Sequence, residues 1–309
     1  MPKQSKQSQQ YRRKNRLDEA DLYYANTTYD LPSPDFWDFA KHAGDDSTLD
    51  GPPAGDRWST WDQSTPTERG PEPHPSWLVT ELAAVDTEHG VLKTGKEADV
   101  HLITRGVPDT TRSCLLAAKR YRSGEHRLFH RDAGYLEGRR VRETRTNRAM
   151  AARTEFGKKV IAAQWANAEF NALCRLYLLG VPVPYPVQVL GTEVLEEFIG
   201  DADGYAAPRL TQVGENLPDL WDQLVEVMVL IARDGLAHGD LSAYNILVRN
   251  GRLVIIDLPQ IVDVIANPEG PSFLDRDAHN VATWFSGKGV RSADGDELAA
   301  LLRAEARLR

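Results

Sequence analysis

The dipeptide Asn250-Gly251 lies between two apolar runs, in the stretch "AYNILVRNGRLVIID". In this setting Asn-Gly predicts a β-hairpin with a two-residue turn, because both turn positions need a positive φ that these residues tolerate. Pairing outward from the turn places Asn245 opposite Ile256. Asp257 then lies at the open end of the hairpin beside Asn245, so the turn determines which polar side chains become neighbours.

Oxygen-bearing side chains collect around this open end. Asp240, in the loop before the hairpin, can reach the space that Asn245 and Asp257 border. Carboxylate and amide oxygens suit Mg²⁺, which combines a few protein oxygens with phosphates and water. A metal held by an Asn and an Asp, with a second Asp as base, is the phosphoryl-transfer pattern of kinase-like folds. We therefore predict catalytic roles for Asp240 and Asp257 and a Mg²⁺ site at Asn245 and Asp257, with Mn²⁺ as an alternative metal.

The other parts of a phosphoryl-transfer site occur earlier in the chain, in the expected order. Lys119 in "LAAKRY" fits the strand lysine that contacts the α- and β-phosphates, and Glu169 in "AQWANAEFNAL" fits the helix carboxylate that holds it. "KTGKEADV" occupies the position of a backbone loop over the phosphates. Each part alone has an ordinary interpretation: a strand-end lysine, a solvated helix residue, a polar turn. Their joint order and spacing favour an ATP site.

The order of predicted elements indicates an α+β fold with two lobes. Alternating apolar positions predict strands in "GVLKTGKEADVHLITR", "CLLAAKRYR" and "VPVPYPVQVLGTEVLEEFIG". Apolar residues at helical spacing predict a helix that stops at Gly180 and another in "ENLPDLWDQLVEVMVLIARDG", besides a helix near Trp77 where order should begin. We expect a sheet-rich lobe at residues 76–200 and a mainly helical lobe at residues 201–309.

Two stretches differ in composition from these lobes. Residues 1–75 are rich in Gln, Ser, Pro, Asp and Gly, which predicts a largely disordered tail. From Arg112 to Lys159, about 14 basic residues oppose about 5 acidic ones, so this part carries about +9 and the rest of the chain about −17. The basic insert, about 122–158, indicates an anionic partner such as RNA or phosphate, with a solvated loop as the alternative.

The composition also restricts the compartment. No stretch has the roughly 18 consecutive apolar residues of a membrane helix, and the polar, basic start lacks the apolar core of a secretory signal. Cys114 and Cys174 lie in apolar surroundings, which is typical of buried thiols in a reducing compartment. We expect a cytoplasmic protein that does not bind membranes.

Taken together, the motifs resemble those of the RIO family of atypical serine/threonine kinases, its type-one branch best. The resemblance covers roughly residues 77–290 and rests on "TGKEADV", "EEFIGDADGYAAPRL", "AHGDLSAYNILV" and "IIDLPQIVD". It implies a two-lobed, protein-kinase-like fold and an ATP- and Mg²⁺-dependent serine/threonine protein kinase or ATPase. It also implies autophosphorylation or an aspartyl-phosphate at Asp257, and a role in maturation of the small ribosomal subunit, with rRNA or a ribosomal precursor as candidate partner of the basic insert.

The resemblance assigns further binding roles and shows some departures. Glu197 and Ile199 are expected to meet adenine through backbone groups. Lys93, Asp99 and Glu196 replace a small residue, an Asn and a Met of the family pattern. The positions expected to contact the triphosphate are Thr94, Gly95, Lys96 and Glu97.

Two other functions are weighed against a RIO-type kinase with an unknown protein substrate. "HGDL" also occurs in small-molecule kinases of the aminoglycoside-phosphotransferase type, although no acidic substrate lobe follows the hinge. A non-catalytic nucleotide-binding scaffold is the third interpretation, and the full set of catalytic residues disfavours it. About fifty residues follow Asp257, too few for the activation loop and helices of an ordinary protein kinase, so peptide docking of that kind is not expected.

Overall fold

The chain folds into a sheet-rich lobe followed by a mainly helical lobe, which confirms the predicted two-lobed α+β architecture. The structure, a computed structural model, describes residues 52, 54–122, 154–259 and 261–308. The first lobe contains a six-stranded antiparallel sheet in the order β1-β2-β3-β4-β6-β5. Its strands are β1 (Arg57–Trp58), β2 (Val85–Thr94), β3 (Ala98–Gly106), β4 (Ser113–Tyr121), β5 (Pro186–Leu190) and β6 (Glu193–Glu197).

The tight connection between β2 and β3 is the predicted "TGKEA" turn. The Gly95 N–H donates a hydrogen bond to the Ala98 carbonyl at 2.9 Å. A Cβ atom on residue 95 would stand only 2.9 Å from that same carbonyl oxygen, which is closer than carbon approaches oxygen in proteins. The turn therefore closes without distortion only because residue 95 is glycine.

Helix α1 (Glu155–Leu178) follows the basic insert in the chain and packs on the sheet. The Thr154 Oγ1 accepts a hydrogen bond from the Gly157 N–H at 3.1 Å and so caps the first turn. At the other end Gly180 has a φ of +78°, and its N–H donates to the Tyr177 carbonyl at 3.0 Å. The helix stops at Gly180 as predicted, because a left-handed residue satisfies the last carbonyls and turns the chain away.

The second lobe contains three helices, α2 (Leu217–Arg233), α3 (Gly270–Gly287) and α4 (Gly295–Glu305). Two short ladders join them: β8 (Ile246–Arg249) with β9 (Arg252–Ile255), and β7 (Leu236–Ala237) with β10 (Val262–Asp263). Single 3₁₀ turns occur at Trp61–Gln63, Pro66–Glu68 and Leu210–Gln212. The apolar stripe predicted for α2 is confirmed, since it is buried in the lobe core: Leu220, Leu224, Val227, Met228 and Ile231.

Residues 54–75 belong to the folded sheet-rich lobe, so the expectation of a disordered tail reaching residue 75 does not hold for this part. In β1, Trp58 pairs with Val85 of β2. Trp61 is 5% exposed and packs in an apolar cluster with Ile103. A few aromatic side chains supply the apolar burial that the average composition of the segment concealed. The helix expected near Trp77 is also wrong, because the chain forms turns there.

The remainder of the predicted tail and most of the basic insert lie outside the described residues. They are residues 1–51 and 53, and residues 123–153. The expectations made for them therefore stay predictions.

A buried ion pair ties the sheet to the segment before it. Arg105 on β3 and Asp86 on β2 are both fully buried, and the Arg105 Nε lies 2.7 Å from the Asp86 Oδ1. The Arg105 Nη1 also donates to the Gln188 Oε1 at 2.9 Å, and the Gln188 Nε2 donates to the Thr60 Oγ1 at 2.9 Å. Each polar group of this network thus has a partner, as burial requires.

Both cysteines lie in the described part of the sheet-rich lobe. Cys114 on β4 is buried, Cys174 on α1 is partly buried, and both are free thiols. In the described ranges, no helix has the length and apolar character needed to cross a bilayer.

Candidate active site

The hairpin at the centre of the second lobe forms as predicted. Asn250 and Gly251 have φ values of 53° and 73°, the positive values that a two-residue turn of this type needs. Beyond the ladder, the Ile256 N–H donates to the Asn245 carbonyl at 3.0 Å, so these residues face each other. Asp257 comes next, at the open end of the hairpin, where its own φ of 69° turns the chain out of the strand.

The first lobe contributes a lysine to this open end. The Lys119 Nζ on β4 lies 2.5 Å from the Glu169 Oε1 on α1 and 2.8 Å from the Asp257 Oδ1. Strand lysine, helix glutamate and hairpin aspartate therefore meet at one point, although they are distant in sequence. This is the arrangement that the order of motifs predicted.

Glu169 has more partners than its sequence context indicated. Its side chain is 1% exposed. The Tyr121 hydroxyl donates to the Oε2, and the Leu258 N–H donates to the Oε1 at 3.1 Å. The role of Tyr121 was missed, although a signal existed: it lies two residues after Lys119 on the same strand, so both side chains point to one face.

The local charges hold Lys119 and Asp257 ionised. Burial opposes the charge of Lys119, but Glu169 and Asp257 raise its pKa above the ordinary value. Burial likewise opposes the charge of Asp257, and the two lysines Lys119 and Lys93 hold its pKa down at about 2. Burial and the Glu169 carboxylate raise the pKa of Tyr121 well above its usual range, so the phenol remains a hydrogen-bond donor.

The loop that carries Asp240 is fixed from both sides. Asp240 is itself exposed, and its carbonyl accepts a hydrogen bond from the Asn245 Nδ2 at 3.0 Å. Asp277 on α3, 2% exposed, accepts hydrogen bonds from the Gly239 N–H at 2.7 Å and the Leu241 N–H at 2.9 Å. The backbone before and after Asp240 is thereby held, while Asp240 itself is exposed.

Two further side chains support this loop. Arg276 donates to the Gly239 carbonyl and lies over the Phe273 ring, 4.7 Å from its centroid. The His238 Nε2 is 3.2 Å from the Ile256 carbonyl. His238 is therefore a structural residue that links the loop to the hairpin. The supporting positions on α3 were missed from the sequence, because they act on backbone groups far along the chain.

The phosphate-loop positions form one surface turn next to the cleft. Thr94 and Lys96 are exposed. The Glu97 carbonyl accepts a hydrogen bond from the Arg122 N–H at 2.9 Å, which closes the base of the turn together with the contact of Gly95. The nucleotide contacts expected of Thr94, Gly95, Lys96 and Glu97 stay a prediction, to which this placement is suited.

Glu197 and Ile199 lie where β6 passes into the connection between the lobes. The Glu197 side chain is occupied, since its Oε1 accepts a hydrogen bond from the Arg249 Nη1 at 2.9 Å. The Ile199 carbonyl accepts from the Ala207 N–H at 2.9 Å. Within the described ranges, no group accepts a hydrogen bond from the Ile199 N–H. The adenine contacts expected of the Glu197 and Ile199 backbone groups stay a prediction.

Asn245 and Asp257 fit a divalent cation of the Mg²⁺ type. The Asn245 Nδ2 is used by the Asp240 carbonyl, which leaves the amide oxygen as a ligand, and Asp257 is ionised over the physiological range. Among the described residues no group of three or more His, Cys, Asp or Glu side chains could hold a metal ion by itself. Two protein oxygens of this kind hold Mg²⁺ when phosphates and water complete its six ligands.

Comparison with known proteins decides the family. A family model described as the RIO domain matches residues 112–298, more than half of the chain. This chain belongs to the RIO family of atypical serine/threonine kinases. The matched RIO domain includes Lys119, Glu169, Asp240 and Asp257, so the site described above lies within it.

Several curated RIO proteins are similar to this chain. The RIO-type serine/threonine-protein kinase Rio1 of Haloferax volcanii is 36% identical over 216 residues, which cover 69% of this chain and 68% of that protein. Serine/threonine-protein kinase RIO1 of Chaetomium thermophilum is 34% identical over 65% of this chain, but the match covers only 40% of its own length. A crystal structure of the Rio2 kinase-ADP/Mg²⁺-phosphoaspartate complex from Chaetomium thermophilum aligns over 71% of each chain, with a TM-score of 0.45 and 22% identity.

The three departures from the RIO pattern all occupy defined places. Asp99 pairs with Arg122, whose Nε donates to the Asp99 Oδ2 at 2.7 Å. Glu196 on β6 pairs with Ala117 of β4, on the sheet face that also carries Lys119. The Lys93 Nζ lies 3.7 Å from the Asp257 Oδ2. Two of the departures, Glu196 and Lys93, thus bring ionisable side chains to the cleft itself.

Proposed function

We propose that this RIO protein is an ATP- and Mg²⁺-dependent serine/threonine protein kinase or ATPase that acts through the cleft between its lobes. One observation carries the proposal: Lys119 joins Glu169 and Asp257 within 2.8 Å, at the open end of the hairpin that presents Asn245. The curated relatives carry the name serine/threonine-protein kinase, which supports the same activity.

Each residue of the site has its own role in phosphoryl transfer. Lys119 contacts the α- and β-phosphates, and Glu169 holds its ammonium in place. Asn245 and Asp257 would hold Mg²⁺, which when bound would neutralise charge on the phosphates. Asp240 orients the attacking hydroxyl and accepts its proton as the oxygen–phosphorus bond forms and ADP leaves. Its exposure leaves room for a serine side chain from a protein substrate.

The same cleft can support ATP hydrolysis through Asp257. In that route a carboxylate oxygen of Asp257 attacks the γ-phosphorus, the bond to ADP breaks, and water then hydrolyses the acyl phosphate to phosphate and free Asp257. Both routes use the same nucleotide site. They differ in whether the phosphoryl group ends on a hydroxyl or passes through a carboxylate.

The proposal includes the partners and location expected from the sequence. The phosphate acceptor is an unidentified protein or this chain itself, in the cytoplasm. The basic insert, with its excess of arginine, suits an RNA such as rRNA in a ribosomal precursor. Support for the RNA partner comes from charge alone.

Labelled ATP tests the proposal directly. The full chain is incubated with γ-labelled ATP and Mg²⁺, and the product is treated with acid or hydroxylamine. Acid-stable label identifies a serine or threonine phosphate, and hydroxylamine-labile label identifies an acyl phosphate. Asp240→Ala and Asp257→Ala should each abolish ATP turnover, which here means a loss of about 10²-fold or more. The control variant is Lys288→Gln, at the far end of α3, which should keep the turnover of the natural protein.

Other outcomes distinguish the other functions. Turnover that survives either aspartate substitution would refute the assigned roles. Stimulation of ATP use by an aminoglycoside or sugar, in a panel of such compounds, would indicate a small-molecule kinase. Nucleotide binding without hydrolysis or label transfer would indicate a scaffold.

A further inference from the structure

The two oxygens of the Asp257 carboxylate each face a different lysine. The Oδ1 lies 2.8 Å from the Lys119 Nζ, and the Oδ2 lies 3.7 Å from the Lys93 Nζ. The proposed function assigns Lys119 to the phosphates and gives Lys93 no role. The second ammonium at this carboxylate therefore still needs an explanation.

The sheet places both lysines on the same side. Lys93 of β2 pairs with Val100 of β3, and Val100 pairs with Lys119 of β4. Side chains of directly opposed residues point to the same face of a sheet. The two lysines thus flank Val100 in one row across three strands, and both face the cleft toward Asp257.

The two ammonium groups differ in how firmly they are held. Lys119 is 11% exposed and has two carboxylate partners, Glu169 and Asp257. Lys93 is 41% exposed, and its contact with Asp257 is long. An exposed ion pair of this kind contributes little stability, so Lys93 can exchange partners at small cost.

We propose that Lys93 is a second phosphate-binding cation of the nucleotide site, which Asp257 keeps in the cleft until a phosphate chain is bound. The inference rests on the proposed function, because it takes the nucleotide to lie between the phosphate loop and the hairpin. If Asp257 coordinates a divalent cation, its carboxylate is no longer available to Lys93. The phosphate oxygens of a bound nucleoside di- or triphosphate can then replace the Asp257 carboxylate as the partner of Lys93. An ammonium binds such oxygens as a point charge.

Nucleotide affinity tests this role without relying on turnover. Binding of ATP, ADP and adenosine to the full chain, with Mg²⁺ present, is measured by titration calorimetry for the natural protein, Lys93→Gln, Lys93→Arg and the remote control Lys288→Gln. Lys93→Gln should bind ATP and ADP about three- to tenfold more weakly and adenosine equally well. Lys93→Arg, which keeps the charge, and Lys288→Gln should bind all three as the natural protein does.

Three outcomes would overturn the inference: equal ATP binding in Lys93→Gln, tighter ATP binding, or an equal loss for adenosine. Tighter binding would mean that Lys93 only competes with the metal for Asp257, and a loss for adenosine would mean a structural role. Lys119→Met, measured in parallel, separates this failure from failure of the proposed function. If Lys119→Met also binds ATP normally, the nucleotide site itself is misplaced; if only Lys93→Gln does, the proposed function stands and the role of Lys93 falls.

Discussion

Glu169 shows at the scale of single residues how the cleft tolerates a buried charge. Its carboxylate is almost fully buried and accepts hydrogen bonds from Lys119, Tyr121 and the Leu258 N–H. A buried carboxylate with several donors is stable, whereas one that loses its cation keeps the cost of desolvation. Lys119 therefore serves the fold as well as the nucleotide.

Removal of the lysine should reveal this structural role. We expect Lys119→Met to lower the free energy of unfolding by about 3–5 kcal/mol, because it leaves Glu169 buried without its cation. Urea unfolding at neutral pH measures the change. Adding Glu169→Gln to Lys119→Met should recover part of the loss, and a double variant less stable than Lys119→Met alone would contradict this explanation.

The raised pKa of Glu196 should make the stability of the protein depend on pH. Burial, together with Glu169 and Asp257, raises the pKa of Glu196 to about 8 from an ordinary 4.5, although Lys119 acts against the rise. Between these values the folded protein holds a proton that the unfolded chain has released, so this contribution to stability declines as the pH rises from about 4.5 through 8.

The variant Glu196→Gln removes this titration. Relative to the natural protein it should gain stability at pH 8.5 compared with pH 5.5, as measured by urea unfolding at both values. Glu226→Gln, on the exposed face of α2, is the matched control and should follow the natural protein. An unchanged pH dependence in Glu196→Gln would show that Glu196 does not carry the effect.

At the scale of elements, the turn of the β8–β9 hairpin determines which side chains become neighbours in the site. Its two-residue turn sets the register that places Asn245 opposite Ile256, and hence beside Asp257. A slip of one residue would direct Asn245 to the other face of the ladder. The turn residues are remote from the nucleotide cleft, yet they determine which oxygens line it.

Substitution of the turn glycine separates backbone strain from packing. Gly251 has a φ of 73°, and a Cβ there would meet nothing within 4 Å. Gly251→Ala should therefore destabilise the protein by about 1 kcal/mol through backbone strain alone, as measured by chemical denaturation. Gly287→Ala, at an exposed α3 position with equally open space and no positive φ, should be neutral or slightly stabilising. Equal effects of both substitutions would contradict this reasoning.

At the scale of the whole molecule, the sheet-rich lobe is completed by residues that precede the RIO domain match. The segment from residue 54 adds an edge strand, buries Trp61 and joins the network of Arg105 through Thr60. Arg69 also lies over the Trp61 ring, 4.8 Å from its centroid. The lobe that holds the phosphate loop therefore depends on a segment outside the recognisable kinase core.

Truncation tests this dependence. A chain beginning at residue 76 should unfold at a lower temperature than one beginning at residue 54, because only the shorter chain lacks β1 and Trp61. In the full chain, Trp61→Ala should cost about 3 kcal/mol of stability, as measured by urea unfolding. Equal thermal unfolding of the two truncated chains would show that the segment is not part of the cooperative unit.

The parts of this molecule that the sequence predicts are those set by local chemistry. Asn250-Gly251 fixes its own turn, and Lys119 and Glu169 were recognisable from their order and elements. Asp277 was not assigned a role, because it binds backbone N–H groups of a loop far away in the chain. Trp61 was assigned to a disordered tail, because the average composition of a segment does not show which of its aromatic side chains pack into an apolar cluster.

The alkylation rates of the free thiols of Cys114 and Cys174 can report on motions of the elements that line the cleft. Cys114 is on the strand that carries Lys119, and Cys174 is on the helix that carries Glu169. Burial raises the pKa of Cys174 to about 12 and that of Cys114 above its ordinary value. Because the thiolate is the species that alkylates, each cysteine reacts at neutral pH mainly when its surroundings open. Labelling rates of the two natural thiols would thus time the opening of the strand and of the helix separately, with and without nucleotide.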